Sequence, residues 1–364
     1  MPGNRNGLDA VPARAKSIEH PSAPEGAAAG DAVDARRLTD WLVSRHGDHV
    51  GPFAWSRIAG GRSNITLHVT DARGHAFILR RPPEGPLLAS AHDVLREFRI
   101  LSALRGQPVP TPAPLALCES PSILGAPFYT MAFEPGLVLR SPDDTAGLSD
   151  GGRARVGHAM IDVLADLHGI DPEAVGLGTL GRRDGYLERQ LTRWHRQWQS
   201  SSTRRLPALD EAHQRLTADI PRQQRVSIVH GDFRLDNVVL GPQGDVRAVL
   251  DWELCTLGDP LADLGLFLVY WTQPGEDTSH LYTSVPTTTP GFATRDELVE
   301  RYRERTDLDL DRIGFYMAFG LWKLACIGEG ICVRDRAAGL DVGTLSKQVG
   351  LLAEKALTTL RGSS

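Results

Sequence analysis

Val226-Ser-Ile-Val-His230-Gly-Asp232-Phe-Arg-Leu-Asp-Asn237-Val-Val-Leu240, then Val246-Arg-Ala-Val-Leu-Asp251-Trp252-Glu253 and Gly258-Asp259-Pro-Leu-Ala-Asp263, is the stretch on which the reading of this chain turns. It runs apolar strand, polar loop, apolar strand, Gly-Pro-Gln-Gly hairpin, apolar strand, carboxylate. An acid, an amide and a second acid thereby sit at strand ends, with Asn237 five residues after Asp232 and Asp251 fourteen after Asn237. That layout suits metal-assisted phosphoryl transfer, in which a carboxylate orients the attacking hydroxyl and hard oxygens hold Mg²⁺ while leaving room for phosphate and water. Asp232 fits the first role; Asn237 and Asp251 fit the second. The competing reading is a polar hairpin whose Asp and Asn serve turns. Turn chemistry alone does not readily put three such groups each at the end of an apolar run.

Composition sets the bounds. With 364 residues and 41% hydrophobic content the chain can bury a sizeable core and divides into two lobes or domains. Its net charge of −5, without a dominant basic tract, argues against nucleic acid as a partner. The four cysteines form no Cys-x-x-Cys pair, which fits reduced thiols in a cytoplasmic protein. The strongly apolar run near Leu261–Trp271 contains Asp263 and falls short of the ~20 residues that cross a bilayer, so no membrane span is expected. Residues 1–30, rich in Gly, Ala and Pro, read as a disordered tail without a signal peptide.

The spacing Asp-x-x-x-x-Asn followed by a strand-borne Asp matches the kinase catalytic loop and its metal-binding Asp. Here His-Gly-Asp replaces His-Arg-Asp and Asp-Trp-Glu replaces Asp-Phe-Gly. Both wordings are typical of the aminoglycoside phosphotransferase and choline kinase branch, which the chain resembles over roughly residues 35–350. Gly60-Gly-Arg-Ser-Asn, Phe77-Ile-Leu-Arg-Arg-Pro-Pro, Trp252-Glu-Leu-Cys-Thr-Leu-Gly-Asp and Gly320-Leu-Trp-Lys-Leu-Ala further resemble the kinase domains found with acyl-CoA dehydrogenases. The resemblance implies an α+β, protein kinase-like two-lobe fold with a small β-rich N-lobe, a larger mainly helical C-lobe, and Mg-ATP between them. It also implies a small-molecule hydroxylated acceptor, a hydroxyacyl-CoA first, with an aminoglycoside or other amino-alcohol or sugar as the alternative. A nucleotide-binding pseudokinase used as an interaction module is the rival class. His230 and Asp263 read as supports of the catalytic loop.

The N-lobe, residues 31–134, supplies the remaining nucleotide contacts in this reading. An amphipathic helix over 31–46 leads into two strands around a glycine turn, where Gly60, Gly61, Ser63 and Asn64 would meet phosphate oxygens; an ordinary hairpin turn explains the same letters. The strand Ala76–Pro82 ends in Arg80 and Arg81, either of which can be the phosphate-contacting cation. Ser90 is expected to cap a helix over 91–105, whose Glu97 either pairs with Arg80 or faces Arg96 at the surface. After a proline-rich connector, the strand ending in Glu134-Pro-Gly reads as the hinge, its backbone at Ala132, Phe133 and Glu134 meeting the adenine edge.

Residues 135–364 form the C-lobe, with helices expected over 151–169, 295–305, 312–333 and 343–360. Residues 181–225 hold ten Arg against five acids, with Trp194 and Trp198 beside Arg193 and Arg196. These four are the candidate acceptor contacts; a solvated face with aromatic anchors is the alternative.

Overall fold

The computed structural model describes residues 32–58, 64–83, 93–201, 204–283 and 285–362. After helix α1 (Ala32–Arg45), five antiparallel strands form one sheet in the order β1-β2-β3-β5-β4: β1 Ala54–Arg57, β2 Ile65–Thr70, β3 Ala76–Arg81, β4 Pro114–Cys118 and β5 Phe128–Ala132. Strand period decides which arginine faces inward. Phe77 and Leu79 pack with Leu38 and Leu42 of α1, whereas Ile78 joins the main core with Val94 and Leu101 of α2 (Val94–Leu104). Arg80 shares the face of Ile78 and so points at α2.

Helix α2 begins later than expected. Asp93, not Ser90, caps it, accepting the Arg96 N–H; Ser90 lies outside the described residues. A short side-chain acceptor at the N-cap satisfies one of the helix's orphan donors, and Asp93 is the nearest such residue to the first apolar turn.

The rest is mainly helical: α3 Asp150–Gly169, α4 Tyr186–Ser201, α5 Pro207–Ala218, α6 Pro260–Tyr270, α7 Arg295–Arg305, α8 Ile313–Ala337 and α9 Gly343–Gly362. Four short strands carry the decisive stretch. β6 (Ser227–Val229) pairs with β9 (Thr256–Gly258), and β7 (Val238–Leu240) with β8 (Val246–Val249). Leu137 bridges Leu240, so the chain passes from N-lobe to C-lobe pairing just after β5. This is the α+β two-lobe architecture, a small sheet above a helical body.

The long apolar helix is α8 rather than the run near Leu261–Trp271. It is long and apolar enough to cross a membrane, but most of it is buried inside the protein against α6 and α9. Helices apolar all round are what the centre of a large helical lobe requires.

Candidate active site

Asp232 sits in the loop between β6 and β7, and Asn237 folds back onto it. Asn237 Nδ2 donates to the Asp232 carbonyl at 2.9 Å and to its Oδ2 at 3.1 Å. With its nitrogen so committed, the amide presents its oxygen as the free ligand atom. The Asn237 carbonyl accepts the Leu250 N–H at 2.8 Å, which draws residue 251 to the same place. On the other side of that peptide, His230 Nε2 lies 2.9 Å from the Leu250 carbonyl. A carbonyl only accepts, so Nε2 carries the proton and Nδ1 is left to accept the Asp232 N–H at 3.3 Å.

Asp251 emerges from this grip with φ 64° and ψ 64°, the sole positive-φ residue other than glycine among the described residues. That conformation costs about 1–3 kcal/mol and persists only where the surroundings fix it. The fixed peptide of Leu250 behind it and the turn Trp252–Leu254 ahead, with Trp252 Nε1 on Val249 O at 2.9 Å, do so. The result turns the Asp251 carboxylate toward the N-lobe, 2.5 Å from Arg80 Nη2. Arg80 Nε is 3.0 Å from Glu97 Oε2, and Glu97 is fully buried. Burial raises the Glu97 carboxyl to about 7 while Arg80 works in the opposite direction.

Asp263, in the first turn of α6, supports the loop from below. Its Oδ1 accepts the Gly231 N–H at 2.8 Å and its Oδ2 the His230 N–H at 2.5 Å, with His168 Nε2 at 3.5 Å. Burial alone would raise this carboxyl; the His168 and His230 contacts and the N–H donors outweigh it and hold it below its usual range. The buried Lys323 of α8 donates to the Gly231 carbonyl at 3.1 Å. Gly231 has φ 84°, and a Cβ there would lie 2.9 Å from Leu254 O, which is why His-Gly-Asp carries glycine here.

The other sequence candidates fall out unevenly. Gly60, Gly61 and Ser63 lie outside the described residues. Asn64 is buried, and neither side-chain polar atom has a hydrogen-bond partner among the described residues. At the hinge, the Ala132 N–H already donates to Ala113 O at 2.8 Å, so that donor is spent on the sheet. Phe133 packs edge-on against His68, and burial raises the Glu134 carboxyl.

Trp194 and Trp198 are corrected. Both are buried in the main core; Trp198 Nε1 donates to Asp210 at 3.0 Å, and Trp194 lies under Arg193 and Lys323. An i, i+4 indole pair on a helix packed between α5 and α8 lies on the face it buries. Arg193 and Arg196 remain exposed, Arg196 lining a groove between α4 and α5.

Three contributors escaped the sequence reading. Arg96 reaches from α2 to the carbonyls of Glu253 and Cys255, tying the N-lobe helix to the Asp251 turn. Arg234 Nε lies 3.3 Å from Asp232 Oδ2 and its guanidinium covers Tyr270, whose hydroxyl donates to Asp232 Oδ1 at 3.4 Å. A recess opens beside them, lined by Arg234, Asp236, Phe267, Tyr270, Thr283 and Pro286. Arg234 lies inside the decisive motif, but Tyr270 at the end of an apolar helix gave no signal of its own.

Comparison with known proteins fits this geometry. The phosphotransferase enzyme family matches residues 54–304. Acyl-CoA dehydrogenase family member 10 of Mus musculus is 36% identical over 327 residues, covering 89% of this chain but only 30% of that protein, so the chain spans less than a third of that relative's length. A Ralstonia eutropha protein crystallised as a candidate aminoglycoside phosphotransferase is 30% identical, with TM-score 0.76 over 90% of this chain and 98% of that one. The GDP complex of aminoglycoside 2'-phosphotransferase-IIIa, 17% identical, shares the fold with TM-score 0.60 over 89% and 99% of the two chains. The two-lobe fold, the Asp232, Asn237 and Asp251 constellation and a family match over most of the chain make this protein a member of the phosphotransferase enzyme family.

Proposed function

We propose that the chain is an ATP- and Mg²⁺-dependent small-molecule O-phosphotransferase whose favoured acceptor is a hydroxyacyl-CoA. The observation that carries the first part is the double hydrogen bond from Asn237 to Asp232, which leaves the amide oxygen free, together with the Asn237 carbonyl's hold on the N–H of Leu250, the residue just before the strained Asp251. Two hard oxygens at the edge of the cleft fit Mg²⁺ better than a softer ion. Asn64, buried and without a side-chain hydrogen-bond partner among the described residues, fits a phosphate-contacting role.

Asp232 orients the acceptor hydroxyl and receives its proton late, because a carboxylate is a weak base in a loose phosphoryl-transfer transition state. Arg80, held by Glu97, offers its guanidinium to the phosphates. Mg²⁺, when bound, neutralises charge on the phosphate oxygens. Arg234 and Tyr270 fix the Asp232 carboxylate on the acceptor side.

On the acceptor side, Arg234 and Asp236 stand beside the apolar side chains Phe267 and Pro286. The similarity to acyl-CoA dehydrogenase family member 10 favours the hydroxyacyl-CoA over an aminoglycoside. The four cysteines are buried thiols, in keeping with a reducing compartment such as the cytoplasm. Purified protein with Mg-ATP and a panel of hydroxyacyl-CoA thioesters, sugars and aminoglycosides tests the proposal by ADP release. Turnover only on an aminoglycoside would replace the acceptor. Nucleotide binding without turnover on any acceptor would favour the interaction-module reading.

A further inference from the structure

We propose that His49, Asp71 and His75 form a second metal site, for a divalent transition ion of the zinc class, which clips the loop after α1 to the β2–β3 hairpin. The three ligand atoms lie within 4.8 Å of one another. His49 Nδ1 is 3.1 Å and His75 Nδ1 3.2 Å from the same oxygen, Asp71 Oδ2. Bonds of about 2.1 Å at a tetrahedral angle put neighbouring ligand atoms about 3.4 Å apart, so an ion fits between these atoms with small side-chain shifts.

The carboxylate is built for the role. Asp71 sits at the turn between β2 and β3, its side chain wholly buried. Oδ1 is taken by two backbone donors, Arg73 N–H at 2.9 Å and His75 N–H at 2.8 Å, while Oδ2 accepts only one long backbone bond, from the Val50 N–H at 3.4 Å, and faces the two imidazoles.

The imidazoles are also oriented. His49 is wedged edge-on between Phe77 and His46 and packs edge-on to His75. The backbone bond from the Ala72 N–H to Val50 O at 2.9 Å holds the two loops together without any metal, so the site is preformed. Two imidazole nitrogens and one carboxylate oxygen favour a borderline ion over Mg²⁺, and the exposed His75 leaves an open side for a water ligand. Ligation through Nδ1 places each imidazole proton on Nε2.

This site is separate from the nucleotide cleft, because residue 75 precedes β3 and Arg80 lies toward its far end. It is tested on the full chain after chelator treatment, by calorimetric titration with Zn²⁺ and by visible absorption with Co²⁺. The expected result is one tight site that survives Asp251→Asn and is lost in His75→Gln. Removal of even an outer partner costs metal sites about 10–100-fold in affinity, so loss of a direct ligand should cost about 100-fold or more. His75 is exposed and its Asp71 contact through the backbone N–H is kept, so His75→Gln should melt like the metal-free wild type. His49→Gln provides an independent second loss. Zn²⁺ binding equal in wild type and both His variants, or none at micromolar concentration in the wild type, would overturn the proposal.

Discussion

The Arg80 guanidinium joins the two lobes, with Nη2 2.5 Å from Asp251 Oδ1 and Nε 3.0 Å from Glu97 Oε2. An ammonium is a point donor and cannot span both carboxylates in one plane. Arg80→Lys should therefore keep the fold and raise the nucleotide KM about tenfold or more, as expected when a charge-assisted bond of about 1.5–3 kcal/mol is lost. Arg80→Met removes the cation that lowers the buried Glu97 carboxyl, so Glu97 takes up a proton, and urea unfolding should show a cost of about 1–3 kcal/mol. A lysine variant with wild-type nucleotide KM would remove Arg80 from the phosphate site.

Asp232→Asn keeps the shape that Asn237 and Tyr270 contact but removes the charge and the proton acceptor. Turnover should fall by about 10²–10⁴-fold with nucleotide binding nearly unchanged. Nucleotide affinity measured beside turnover separates this from misfolding; near-wild-type turnover would mean that another group orients the hydroxyl.

The framework was legible because it rests on spacing. Asp232, Asn237 and Asp251 stand at the ends of apolar strands, and strand period alone favours Arg80 over Arg81 once both faces of β3 are packed. Long-range contacts were not legible. Nothing local tells that Arg96 crosses to the Cys255 carbonyl, or that β6 pairs with β9 rather than with its sequence neighbours. The indoles misled for a physical reason: arginine next to tryptophan on an amphipathic helix marks the boundary between buried and exposed faces, and both Trp194 and Trp198 fall on the buried side.

Gly231→Ala places a Cβ 2.9 Å from Leu254 O in a conformation, φ 84°, that alanine disfavours. The cost should be about 1–3 kcal/mol, and because residue 231 separates His230 from Asp232, kcat should fall more than either KM rises. Unchanged kcat with a lowered melting temperature would make the residue purely structural.

Asp259 caps α6, accepting the Leu261 N–H at 3.0 Å and the Tyr316 hydroxyl at 2.9 Å, and burial raises its carboxyl from 3.8 to about 6. A raised folded-state value means that the native state holds the proton more tightly. This group's stabilisation is thus complete below pH about 4 and lost as pH rises through about 6. The interval corresponds to about 3 kcal/mol at most. Asp259→Asn should flatten that part of the profile, so the stability difference between variant and wild type should change between pH 4 and 6 and level off above. A difference constant across this range would mean that Asp259 titrates normally.

Two cationic surfaces are candidates for the proposed acceptor, and they can be told apart. Arg234 lies against Asp232 and Tyr270 at the recess, whereas Arg193 and Arg196 are exposed on α4, Arg196 in the groove shared with α5. A group that meets the reacting end of the acceptor changes kcat as well as KM, while one that meets a distant phosphate changes KM alone. Arg234→Gln should therefore lower kcat and raise the acceptor KM together, because it also frees the Asp232 carboxylate to move. Replacing Arg193 and Arg196 together by Glu should raise the KM of a CoA thioester about tenfold or more, leave the ATP KM unchanged, and weaken with added salt. A short hydroxyacyl acceptor without the CoA phosphates should be indifferent to the double change. If the CoA thioester is equally indifferent, its phosphates do not lie along α4.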